Sequence, residues 1–147
     1  MKIDDINIAI IKELRQGRKS FKKIAEKLDI TENTVRARVN KLTEEKVLDI
    51  CGLVDPGSIP GHQTVIIGLK AAEMNLVEVA EKISRLRGVI SASVVTGRFD
   101  VMAMVLLKEG FGLLEFYTDE ISKISGLDAV ETFVVCKSFN LMVPYLL

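Results

Sequence analysis

Tryptophan is absent from the 147-residue chain, and there are only one histidine, two cysteines and three prolines. Cys51 and Cys136 lie too far apart for a zinc site or a disulfide scaffold, so both are expected to be small packing residues. There is no Walker loop, no HExxH and no Ser/His/Asp set, so no catalytic residue, metal site or cofactor is expected. No apolar run approaches the roughly 20 residues that cross a bilayer. The opening MKIDDINIAIIKEL is too acidic and too interrupted for a signal peptide. These absences describe a soluble, cytoplasmic protein with no membrane partner. Net charge is missing too, since 20 Lys+Arg meet 20 Asp+Glu. The 48% hydrophobic content nevertheless excludes a disordered chain.

The neutrality is a cancellation. Residues 1–50 carry twelve basic against nine acidic residues, and residues 51–147 carry eight against eleven. Two modules with different partners are implied. Between them Asp55-Pro56-Gly57-Ser58-Ile59-Pro60-Gly61 reads as turn or linker, because proline fixes φ and glycine frees it. The expected organisation is a basic first domain over 1–50, a connecting strand and linker over 51–62, and a second domain over 63–147.

In the first module Asp4 or Asp5 caps a helix running to about Gln16, with Ile3, Ile6, Ile10 and Leu14 as its buried stripe. A second helix starts at Ser20 and carries Phe21, Ile24, Ala25 and Leu28. Thr31 caps a third, with Val35, Val39 and Leu42 on one face. Three short helices with a tight turn between the last two describe a helix-turn-helix. A strand expected over Val47–Val54 serves as either a wing or a connector. With Val35 inward, 100° per residue turns Asn33, Arg36, Ala37 and Asn40 outward, flanked by Thr34 and Lys41. Such a face of short polar, amide and Arg side chains suits the major groove. Arg36 fits guanine, and Asn33 or Asn40 fits adenine. Arg38 lies nearer the core edge, where it reaches phosphate or holds the helix by a salt bridge. Ser20, Lys22 and Lys23, with Arg18 and Lys19, are candidates for phosphate contact.

In the second module the pattern gives strands over Gln63–Ala71, Val89–Thr96, Val101–Leu107 and Val130–Phe139. Helices are expected over 75–87 and Phe111–Ile124. The order β-α-β-β-α-β is the ferredoxin-like arrangement, so the fold class is α+β, a winged helix-turn-helix followed by a ferredoxin-like domain. Val101–Leu107 has no polar member, although helices cover only one sheet face. Ile66 and Val95 add to the uncovered side. A partner sheet across a two-fold axis is the economical cover, and burial by the C-terminal tail (Leu141, Met142, Tyr145, Leu146) is the alternative. Ile8 hints at a further contact. His62, the one histidine, is expected to be solvated.

The sequence resembles the Lrp/AsnC family of transcription regulators. The residues that carry the likeness are Ile3-Asp4-Asp5-Ile6, Ile10-Ile11-Lys12-Glu13-Leu14, Gly17-Arg18-Lys19-Ser20, Ile24-Ala25 and Ile30-Thr31-Glu32-Asn33-Thr34-Val35. Arg38-Val39-Asn40-Lys41-Leu42, Val54-Asp55-Pro56 and the hairpin Gly97-Arg98-Phe99-Asp100 complete it. The resemblance implies a DNA-binding regulator that dimerises through its sheets and often forms octamers or other higher assemblies. It also implies a small effector, commonly an amino acid, bound near the hairpin. Gly97, Arg98, Phe99 and Asp100 become effector candidates, with Thr132 and Val134 on the last strand. Gly97 and Asp100 have turn chemistry as an equal explanation. Two positions depart from the family. Lys46 stands where glycine is usual, so it must enter that turn at a cost or the turn differs. Val134 replaces a residue that is often polar in ligand-responsive members. Two other readings of the same architecture are a sirohaem-decarboxylase-like enzyme and an effector-binding assembly with no DNA role.

Overall fold

The computed structural model describes residues 3–15 and 17–147. The chain divides into two compact units, Met1–Gly52 and Leu53–Leu147.

The first unit holds helices α1 (Asp5–Leu14), α2 (Phe21–Leu28) and α3 (Glu32–Glu44). Asp4 caps α1 by accepting from the Asn7 N–H at 2.8 Å. Thr31 caps α3 by accepting from the Thr34 N–H at 3.1 Å. The expected end of α1 near Gln16 lies outside the described residues, and α1 itself ends at Leu14. Ile10, Leu14, Ile24, Ala25, Val35 and Val39 form the core. The expected stripe of α1 needs correction, because Ile3 and Ile6 are each 37% exposed while Asn7 is buried. Asn7 takes the inward position one turn before Ile10 because its amide oxygen accepts from Arg38.

The turn after α3 places a lysine in the left-handed region that glycine favours. Lys46 has φ +55°, and the Val47 and Leu48 N–H groups both return to the Leu42 carbonyl. A side chain in the left-handed region is strained. Lys46→Gly is therefore expected to relieve about 1–2 kcal/mol of strain, less about 0.4–1 kcal/mol that glycine adds to unfolded-chain entropy, for a net rise in the unit's stability. A thermal melt that moves down instead would contradict this. Of the two roles expected for Val47–Val54, wing or connector, the structure fits the connector. Among the described residues of the first unit there is no strand, and only Leu53–Val54 (β1) of the run Val47–Val54 is extended and paired. Its partner is β6 (Val143–Pro144), and both strands belong to the second unit.

The second unit continues through a turn at Pro56–Ser58 into β2 (His62–Ala71), α4 (Leu76–Ser84), β3 (Val89–Val94) and β4 (Val101–Lys108). Next comes α5, which starts at Leu113–Glu115, widens over Phe116–Glu120 and tightens over Ile121–Lys123, and then β5 (Leu127–Val134). The four long strands pair antiparallel in the order β3-β4-β2-β5, the ferredoxin-like order. Val65, Ile67, Leu69, Val101, Ala103, Val105 and Leu107 face α4 and α5 and pack against Val79, Ile83, Phe116 and Ile121. The last strand starts and ends earlier than the expected Val130–Phe139. A register shift at Lys70/Ala71 lets β2 pair as far back as Leu127, and Val135 leaves the strand after its N–H bonds the Thr64 carbonyl.

The opposite sheet face carries Thr64, Ile66 and Gly68 of β2 beside Leu106, Met104 and Met102 of β4. Thr64 and Leu106 are buried by the chain itself, whereas Ile66, Met102 and Met104 are only half-buried. In the tail, Met142, Tyr145 and Leu146 are about half exposed, and Leu147 packs against the helix-side core. Two smaller expectations fail. Cys51 and Cys136 are exposed and not packed. His62 is engaged, its Nδ1 3.0 Å from the Pro60 carbonyl and its Nε2 3.2 Å from the Tyr145 hydroxyl. A carbonyl only accepts, so Nδ1 carries the hydrogen.

Candidate nucleic-acid interface and effector region

Helix α3 presents its outer face in two parts. Asn33, Thr34, Ala37, Arg38 and Lys41 line a groove of about 630 Å³ together with Asp4 and Asn7. Arg36 lies on the other flank with Ser20, Phe21 and Glu32. Asn40 is exposed but lines neither groove. Lys22 and Lys23 are exposed on α2, and the Ser20 side chain makes no capping bond.

The two arginines of α3 have different surroundings. Arg38 Nη1 donates to both Asp4 oxygens at 2.8 and 2.7 Å and to the Asn7 amide oxygen at 2.8 Å. Its guanidinium thereby ties the start of α1 to the middle of α3, and its hydrogen bond holds the Asp4 carboxyl below the usual carboxylate range. Arg36 lies over the Phe21 ring at 5.4 Å and donates to Glu32 at 2.8 Å, an exposed pair that costs little to break. Arg36 is thus the freer of the two to meet a base. Sequence reasoning missed Glu32, Phe21 and Asn7 here; the Glu32-Arg36 spacing of four was the visible signal.

Glu13 joins α1 to α2. Both of its oxygens take lysines, Lys19 on one and Lys27 on the other, which lowers its carboxyl to about 2. Its folded value lies below its ordinary 4.5, so the stability it adds is full above that pH and is lost as pH falls from there toward 2. Urea unfolding across that window should show a weaker pH dependence in Glu13→Gln than in the parent. Identical curves would remove Glu13 from the account.

The effector candidates do not converge within one chain. Phe99 folds back over Gly68 on the outer sheet face, its ring atoms 2.6–2.7 Å from where a Cβ would stand, so only glycine fits beneath it. Its ring meets Phe133 edge-on at 6.0 Å. Arg98 pairs with Glu131 at 2.7 Å on the same side. Asp100 accepts from the Ala71 N–H and from Lys70, each at 3.0 Å, and these contacts lower its carboxyl. Thr132 and Val134 share the helix-side face instead, since their strand partners are Ile67 and Val65. The Thr132 hydroxyl is 2.7 Å from that of Tyr117. Tyr117, Thr132, Leu113 and Leu114 line a shallow, mostly apolar pocket. Gly97 is exposed at the hairpin tip with open space around it.

Comparison with known proteins bears on both units. The AsnC-type helix-turn-helix domain matches residues 3–43, and the Lrp/AsnC ligand binding domain matches residues 64–142. An HTH-type transcriptional regulator of Pyrococcus furiosus is 32% identical over 136 residues, covering 90% of this chain and 91% of that one. LrpA of Pyrococcus horikoshii is 29% identical, over 87% of this chain and 92% of that one. Among solved structures, LrpA of Mycobacterium tuberculosis superposes with a TM-score of 0.78 at 16% identity, over 95% of this chain and 96% of that one. A regulator from Neisseria meningitidis in complex with L-Met gives 0.71 at 17% identity, over 95% of this chain and 94% of that one. At those identities the structures speak for the fold.

The matches to both domain models and to relatives named as HTH-type transcriptional regulators show a DNA-binding transcription regulator, and not an enzyme. The chain belongs to the Lrp/AsnC family.

Proposed function

We propose that this regulator acts in the cytoplasm as a homodimer joined sheet to sheet, that dimers build a higher assembly such as an octamer, and that a small effector, an amino acid, modulates its assembly or DNA affinity. The observation that carries the reading is the uncovered sheet face. Ile66, Met102 and Met104 are half-buried there beside the Phe99–Phe133 pair, and no helix of this unit lies over them. Apolar surface of that kind is covered most simply by a second copy across a two-fold axis. Gly97, Arg98, Phe99 and Asp100 stand apart from Thr132 and Val134 within one chain, so an effector touching both groups needs more than one protomer. The relative from Neisseria meningitidis crystallised with L-Met supports an amino acid as the effector class.

On DNA, α3 enters the major groove. Asn33, Thr34, Arg36, Ala37, Asn40 and Lys41 face the base edges, while Ser20, Lys22 and Lys23 take phosphates. Selection from a random DNA pool, with and without an amino-acid mixture, tests both halves of the reading. A pseudo-palindromic site whose enrichment changes with the mixture is expected. An unchanged outcome with every amino acid would remove the effector claim. Arg36→Ala should cost about 1–3 kcal/mol at one base position and relax specificity there, whereas Lys22→Ala should weaken all sequences alike. Equal effects of the two changes on every sequence would overturn the assignment.

A further inference from the structure

Positive charge in the first unit is not centred on the base-reading groove. Arg38 and Lys41 line that groove with Asp4, and Arg38 is already spent on Asp4. A separate cleft of about 570 Å³, at the end of α1 and the turn into α2, is lined by Lys12, Arg15, Arg18, Lys19 and Lys27 with Glu13 as the one carboxylate. Glu13 occupies Lys19 and Lys27. Among the described residues Lys12, Arg15 and Arg18 form no ion pair. A cation at a helix C-terminus is stabilising in itself, but that accounts for one side chain and not for this concentration.

The partner chemistry follows from what lines the cleft and where it leads. Every lining side chain is charged except the glycine, so no apolar wall is present to hold a base or ring. Arg18 and Lys19 also line the neighbouring cleft, which contains Ser20, Phe21, Glu32 and Arg36. The two clefts share Arg18 and Lys19, which link Arg36 in one to Lys12 and Arg15 at the C-terminal end of α1 in the other. A polyanion with regularly spaced charges suits two such linked clefts better than a single small anion.

We propose that the DNA phosphate backbone outside the base pairs read by α3 runs through the Lys12–Arg15–Arg18 cleft. The contact lengthens the footprint without adding sequence information.

The test uses the full chain and the selected operator as two duplexes. One ends at the outermost selected base pair, and the other extends by about one helical turn, roughly 10 base pairs, on each side. Affinity is measured against salt for the parent and for a Lys12→Gln, Arg15→Gln double variant. Each lost phosphate contact lowers the slope of log K against log salt by about 0.9. The double variant should lose close to two such contacts per protomer on the extended duplex and none on the short one. A Lys12→Arg, Arg15→Lys variant should restore the slope, which separates charge from folding. Slopes unchanged on both duplexes would overturn the proposal. Equal losses on both would overturn it too, by placing the contact inside the operator.

Discussion

Gly88→Ala is expected to cost the second unit at least about 3 kcal/mol. Gly88 sits between α4 and β3 with φ +80°, a conformation that side chains enter only under strain. A Cβ there would stand 2.6 Å from the Leu106 carbonyl oxygen and 3.1 Å from the Phe111 ring. The oxygen belongs to the backbone of a central strand and cannot move aside. The Gly88 carbonyl also accepts from the Leu106 N–H at 2.8 Å, so any escape of the new methyl group breaks that bond. Leu106 is fully buried, as is Val105 beside it. The strain therefore spreads into the core. Urea unfolding followed by far-UV circular dichroism reads the effect, and a midpoint equal to the parent's would refute the argument.

The second large effect concerns the first unit. Arg38→Ala removes three hydrogen bonds and leaves the Asn7 amide oxygen without its partner at 4% exposure. A buried acceptor left unsatisfied costs about 1–3 kcal/mol. A unit of this size has little stability in reserve, so its helices should melt well below the parent's temperature. Arg38→Lys should recover part of the loss, because all three contacts are made by the single nitrogen Nη1 and an ammonium carries three donors on one nitrogen. If the melt is unchanged and the salt slope for DNA binding falls by about one, Arg38 is a phosphate contact instead.

The parts of the molecule read correctly from sequence are those set by periodicity and capping. The helix positions of Val35, Val39 and Leu42, the Thr31 cap and the alternation along β2 all follow local rules. The failures share a different cause. Ile3 and Ile6 lost their place in the core to Asn7 because a pairing 31 residues away makes the polar side chain the better tenant. Val47–Val54 has strand-forming composition but mostly lacks a partner edge, and an unpaired strand is not stable. The true end of the last strand depended on a register shift in its neighbour. At the candidate site, the outward face of α3 was legible from its 100° spacing. The position of Phe99 was not, because it depends on the absence of a side chain at Gly68, 31 positions earlier in the chain. Nor did spacing reveal that Thr132 and Phe99 occupy opposite sides of one sheet.

Phe99 belongs to the hairpin by sequence and to the outer sheet face by contact. One ring therefore takes part in two equilibria, the hairpin's own fluctuation and the exposure of apolar surface beside Ile66 and Met102. Whatever lifts the hairpin uncovers Gly68 and leaves Phe133 without its edge-on neighbour. Whatever settles on the sheet restrains the hairpin by the same free energy. The coupling needs no long pathway through the core, because a single aromatic side chain resting on a glycine carries both effects.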